Sequence, residues 1–225
     1  MKSSWMKWSV LPAAFMLVGG VAVAQDQSSS GSQSSAQTGE AAVPAPAEKP
    51  KPTIAQRKEN QQDRIANGVK SGQLTAGETK NLEKKEAAIN RETAADRAAN
   101  GGKLTAAEKK QVNRQQNQMS KQIYADKHNA STAHYGNNKV GQRRENQQDR
   151  IAQGLKSGQM TAGEAARAEK QQQGINKQVA RDRKANGGKL NASEKKQINK
   201  EQNAASGNIY RKKHNAKTQP GTAPK

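Results

Sequence analysis

The sequence predicts an all-α protein, a tandem repeat of capped helical hairpins with about three helices per copy and a marginal core. Three observations carry that expectation. Residues 53–219 contain no proline, which leaves long stretches free to be helical. Residues 56–130 align without a gap to residues 142–216 at an offset of 86, with 47 identities in 75 positions. Self-similarity of this kind marks an array of like units. Turn residues followed by helix-start signatures recur four times within the two copies.

Residues 1–24 read as an export signal. Lys2 and Lys7 give a positive start, residues 9–21 are mostly apolar, and Ala22-Val23-Ala24 supplies the small residues of a cleavage site after Ala24. The apolar run is shorter than the roughly 20 residues that span a bilayer. There is no Cys in the chain, so the reading is a protein without a lipid anchor, placed in the periplasm or secreted. Residues 25–52 are rich in Ser, Gln, Ala and Pro and read as a flexible linker; residues 217–225 read as a similar tail. Residues 53–130 form helical repeat 1, residues 131–141 join the copies, and residues 142–216 form helical repeat 2.

Within each repeat the turn chemistry sets the elements. Asn67-Gly68 and Asn100-Gly101 supply residues that stop helices. Thr75 with Glu78 and Thr105 with Glu108 have the spacing of a capping box. Thr161 with Glu164 and Asn191 with Glu194 repeat it. Helices are therefore expected near 54–67, 75–99 and 105–128, and near 140–153, 161–185 and 191–214. On the third helix, Val112, Met119 and Ile123 share one face while Lys110, Arg114 and Lys121 cluster on the opposite side. Ile198, Ala205 and Ile209 repeat the apolar stripe, and Lys196 and Lys200 the basic one.

The core is expected to be thin. After removal of residues 1–24, Leu, Ile, Val and Phe number 18 in 201 residues, a level at which disorder becomes a real competitor for a highly charged chain. Repeat 1 offers ten large apolar side chains, Tyr124 among them. A largely disordered hydration or stress protein is the corresponding alternative.

Chemistry is sparse. Without Cys there is no thiol nucleophile, disulfide, Cys-ligated metal or covalent haem. The Asn100–Thr105 stretch departs from the phosphate-loop pattern, so no nucleotide is expected. His128 and His214 occupy equivalent sites near helix C-termini, where a cationic ring suits the dipole. His134 sits in the join between repeats. The loops resemble an EF-hand frame, with a turn Gly at Gly72 and a final Glu at Glu78. The carboxylates at positions one, three and five are missing, so calcium is not expected. No catalytic, cofactor or metal residues are assigned, and the protein is read as a non-enzyme. Acidic and basic residues interleave at helix spacing, as solvated ion pairs do.

Charge is the remaining signal. The chain carries 39 Lys+Arg against 19 Asp+Glu, a formal charge of +20, and loss of residues 1–24 leaves +18. Repeat 1 has net +6 and repeat 2 net +10. Such an excess attracts polyanions. The candidate face is Lys110, Arg114, Lys121, Arg143, Arg144, Lys196, Lys200, Arg211, Lys212 and Lys213. Its expected partner is an anionic envelope polymer, another polyanion or a membrane surface.

The stretch Leu104-Thr105-Ala106-Ala107-Glu108 resembles the Leu-Thr-x-x-Gln motif of Spy/CpxP-type periplasmic helical proteins, with Glu in place of Gln. Leu74–Glu78, Met160–Glu164 and Leu190–Glu194 are variants of it. The resemblance implies an exported all-helical protein acting as an ATP-independent chaperone or envelope-stress factor, with unfolded proteins as partners. That is the second functional expectation beside polyanion binding.

Overall fold

The computed structural model describes residues 50–220. Residues 1–24, with the expected cleavage site at Ala24, residues 25–49 of the expected linker and residues 221–225 lie outside the described residues. The described residues form six helices: α1 (Ile54–Lys70), α2 (Ala76–Ala99), α3 (Ala106–Lys127), α4 (Lys139–Lys156), α5 (Ala162–Ala185) and α6 (Ala192–Lys213). Among the described residues there is no strand. The protein is all-α, with three helices in each repeat.

Local chemistry places the helix starts. The Thr75 hydroxyl accepts from Glu78 N–H while the Glu78 carboxylate accepts from Thr75 N–H, closing a capping box at α2. Thr105 with Glu108, Thr161 with Glu164 and Asn191 with Glu194 close the same box at α3, α5 and α6. Thr53 with Gln56 does so at α1, and the Asn138 side chain accepts from Gly141 N–H at α4. Each cap satisfies donors that the first helical turn would otherwise leave orphaned.

The helix ends divide into two classes. Asn100 and Asn186 are C-caps, and the glycines after them, Gly101 and Gly187, take φ of 60° and 58°. Asn67-Gly68 does not stop α1, contrary to the sequence expectation. The helix runs three residues further to Lys70, and the positive φ falls on Gly72 at 73°. Gly68 is there for closeness: a Cβ on it would sit 2.7 Å from Leu74 Cδ1. Gly154 stands in the same relation to Met160. Each returning loop thus lays a large side chain onto a bare helix backbone.

The two repeats share one core. Ile65, Val69, Leu74, Leu82, Met119 and Ile123 of repeat 1 cluster with Ile151, Leu155, Met160, Ala165, Ala168 and Ile209 of repeat 2. A smaller cluster of Val140, Ile175, Val179, Leu190, Ile198 and Ala205 fills one end of repeat 2. Repeat-to-repeat packing runs through α2 against α5 and α1 against α4. Gly77 lies against Gln173, and Gly163, its counterpart at the 86 offset, lies against Ala87. Since 77 meets 173 while 87 meets 163, α2 and α5 are antiparallel and cross near Leu82 and Ala168. Small residues at these crossings (Gly77, Gly163, Ala165, Ala168) let the backbones approach, which is why so few large apolar residues suffice.

Glutamine and glutamate line this shared interior. Gln61 Nε2 donates to Gln116 O at 2.6 Å, and Gln147 Nε2 to Gln202 O at 2.6 Å. Gln116 and Gln202 reach back to Ile54 O and Val140 O, both at 2.9 Å. These buried amides stitch α1 to α3 and α4 to α6 in the same way. The exits of the two repeats also correspond: Ala133 N–H donates to Gly72 O and Gln219 N–H to Gly158 O.

Candidate polyanion interface

Neutral amides hold several of the charged groups at the surface. Asn100 binds Glu108, Asn186 binds Glu194, Asn129 binds Glu78 and Asn215 binds Glu164, at 2.6–3.0 Å. Gln111 and Gln115 hold Glu92. Cations find amides too: Arg57 with Asn113 and Asn117, Arg143 with Asn199 and Asn203, Lys80 with Gln173. Beside these contacts, Arg181 and Asp182 form an ion pair at 3.8 Å among the described residues. An amide fixes a side chain without cancelling its charge, so the cationic excess stays open to solvent and to anions.

Five of the cations line a groove at the end of repeat 2. Lys139 and Arg143 from the start of α4, Arg183 from the end of α5, Lys189 from the turn and Lys195 from α6 line a space of about 670 Å³. None of its lining residues is acidic, and Val140 and Leu190 form its floor. The Asn186-Gly187-Gly188 turn, with Gly188 at φ 88°, swings Lys189 back beside Arg183. The volume lies in the range of ordinary ligand pockets.

The residues named from sequence distribute as follows. Lys110, Arg114 and Lys121 are exposed along α3, and Lys196 and Lys200 along α6. Arg143 is half-buried in the groove wall. Arg211 is exposed, whereas Lys212 and Lys213 are half-buried at the end of α6. Burial, with Arg150 near, holds the Lys213 ammonium below the ordinary lysine range. Arg144 is not part of any outer face. It is 7% exposed, its Nε donates to Asn176 Oδ1 at 2.6 Å, and its guanidinium lies 5.2 Å from the centre of the Tyr135 ring. Adjacent helical residues point about 100° apart, so Arg143 faces the groove while Arg144 turns inward. Lys139, Arg183 and Lys189 escaped the sequence reading. They come from three segments that only the fold brings together, although Arg183 and Lys189 flank a legible turn.

The three tyrosines separate as well. Tyr135 is half-buried beneath the repeat junction. Tyr124 and Tyr210 are 61% and 57% exposed, so Tyr124 is not a core residue as its apolar character suggested. Each stacks on a histidine one turn on, His128 or His214, at 4.1 Å between centroids. The histidine Nδ1 contacts the tyrosine carbonyl at 2.7 or 2.8 Å. Both pairs close a helix end rather than a ligand pocket.

Buried carboxylates form a second concentration of perturbed groups. Glu83 and Glu169 occupy equivalent positions beside the α2–α5 crossing and have no solvent exposure. Gln62 Nε2 donates to Glu83 Oε2 at 3.2 Å and Gln148 Nε2 to Glu169 Oε2 at 2.9 Å. Burial pushes Glu169 up to about 8 and raises Glu83 well above the usual carboxylate range, where Glu86 and then Glu169 add repulsion. Burial lifts Glu86 to about 7, against the opposing pull of Lys58. Among the described residues no group of three or more His, Cys, Asp or Glu is placed to hold a metal ion. No described helix is long and apolar enough to cross a membrane. No protein-family model, curated protein or solved structure matches the chain.

Proposed function

We propose that this protein is an exported, non-catalytic binder of linear polyanions. The observation that carries the reading is the groove of Lys139, Arg143, Arg183, Lys189 and Lys195, lined by no carboxylate on a repeat of net charge +10. The amide-held surface supports it, because cations that are positioned but not neutralised keep their attraction for phosphate, sulfate or carboxylate groups. Arg143, pinned by Asn199 and Asn203, presents its guanidinium with part of its side-chain freedom already lost, which favours binding. The export signal, read from residues 1–24, points to envelope or extracellular polymers.

The large apolar side chains exposed among the described residues are Tyr124 and Tyr210, and each is engaged by a histidine. That is little apolar surface for gripping unfolded clients, so the chaperone reading draws no support from the surface. Two assays separate the readings. The mature chain should bind heparin or DNA at about 50 mM salt and release most of it by about 200 mM. Suppression of client aggregation that persists at high salt, without heparin or DNA affinity at low salt, would overturn the proposal.

A further inference from the structure

The cations that line the groove of repeat 2, Lys139 apart, have counterparts in repeat 1 at the 86 offset. Arg57 Nη1 donates to Asn113 Oδ1 at 3.1 Å, as Arg143 Nη1 does to Asn199 Oδ1 at 3.3 Å. Arg97 lies near Lys58, as Arg183 lies near Arg144. Lys103, Leu104 and Lys109 follow the first Asn-Gly-Gly turn as Lys189, Leu190 and Lys195 follow the second. Gly102 and Gly188 share a φ of 89° and 88°, so the two turns have one geometry. The repeats differ at Thr53, which stands where repeat 2 has Lys139. Repeat 1 therefore has four cations, Arg57, Arg97, Lys103 and Lys109, at the positions of the second rim's five.

The antiparallel crossing separates the two rims. Each rim is built on the turn after α2 or α5. Those helices cross near Leu82 and Ala168 and end at Ala99 and Ala185, 17 residues beyond the crossing in opposite directions. At 1.5 Å per residue this is about 26 Å each way, which puts the rims roughly 50 Å apart. A flexible chain with charges along its length could reach both, and two chains could each take one.

We propose that each molecule carries two separate polyanion sites, one at each end of the α2–α5 pair, and so joins two strands or two stretches of one strand. This rests on the polyanion reading above and adds its valency. The recognised chemistry is a run of sulfate, phosphate or carboxylate groups placed against Arg57, Arg97 and Lys103 at one end and Arg143, Arg183 and Lys189 at the other.

Isothermal titration of the mature chain with a heparin-derived tetrasaccharide at low salt tests it, since that probe is too short to span both rims. Saturation is expected at two tetrasaccharides per protein. The triple variant Arg143→Ala, Arg183→Ala, Lys189→Ala should saturate at one, as should Arg57→Ala, Arg97→Ala, Lys103→Ala. The combination should bind at least tenfold more weakly, each protein keeping its far-ultraviolet helix signal. Saturation at one by the unaltered chain, or at two by both triple variants, overturns the two-site proposal while leaving polyanion binding standing. Loss of helix signal in the triple variants shifts the decision to the unaltered chain's stoichiometry, which is read without them. Binding of anionic-lipid vesicles without tetrasaccharide binding overturns it in favour of a membrane surface. No binding of tetrasaccharide, full-length heparin or vesicles overturns both readings together.

Discussion

Replacing Glu169 with Gln should stabilise the protein in alkaline solution and flatten its dependence on pH. Glu169 is wholly buried, and one of its oxygens has no hydrogen-bond partner. Near it, Glu83 Oε1, Gln62 Oε1 and Gln148 Oε1 are also buried acceptors without donors. The interior is short of donors, and a proton on Glu169 supplies one. The charged and titratable neighbours act together: Glu83 faces Glu169 and Glu86, Lys58 faces Glu86, and Tyr135 faces Glu169. Glu169 holds its proton up to about pH 8 in the folded chain, against about 4.5 for an ordinary glutamate. A raised folded value means that stability from this group is complete below about pH 4.5 and is lost as pH rises through about 8. Each unit of difference is about 1.4 kcal/mol, so the loss across this window is on the order of a few kcal/mol. Gln keeps the shape and the donor at every pH. Urea unfolding followed by circular dichroism at pH 5, 7 and 9 measures the effect. Glu169→Gln should be near the parent at pH 5 and clearly more stable at pH 9. Parallel stability profiles for the two proteins would refute the claim that Glu169 is folded as the neutral acid.

The other expectations concern packing and caps. Leu82→Ala, at the crossing of α2 and α5, should cost about 2–5 kcal/mol in chemical unfolding and should lower the stability of both repeats in one transition, because they share a core. Thr105→Ala removes the acceptor for Glu108 N–H and should cost about 1 kcal/mol by the same measurement. Gly174, in the middle of α5 with open space where a Cβ would go, should accept Ala with a gain of about 0.5–1 kcal/mol. Gly187→Ala should instead lose about 1 kcal/mol, since φ there is 58°. A gain at both positions would contradict the assigned turn.

The helical class, and the starts of α2, α3, α5 and α6 within a residue, were legible because caps are local: a Thr or Asn and a Glu three residues on carry the whole instruction. The end of α1 was not legible. Asn67-Gly68 looks like a stop because such pairs commonly are, yet Gly68 serves the approach of Leu74, a contact that depends on where the chain returns. The inward turn of Arg144 was hidden for a similar reason, since its partners Asn176 and Tyr135 come from α5 and the join between repeats. The thin count of large apolar residues suggested a marginal core. Ala165 and Ala168, with buried glutamines, serve as core between two repeats that fold against each other, a contact that depends on the return of the second repeat onto the first. Lys139 lies more than forty residues from Arg183 and Lys189, so no single window of sequence displays these three of the groove's five cations.

The salt dependence of heparin binding tests the central claim most directly. The affinity of residues 25–225, measured at several salt concentrations between about 50 and 200 mM, should fall linearly on a double-logarithmic plot. Removing Arg143, Arg183 or Lys189 one at a time should reduce the slope by about one for each cation in contact with the polymer. An affinity indifferent to salt, or slopes unchanged by all three substitutions, would contradict the assignment of this groove as the place where the polyanion binds.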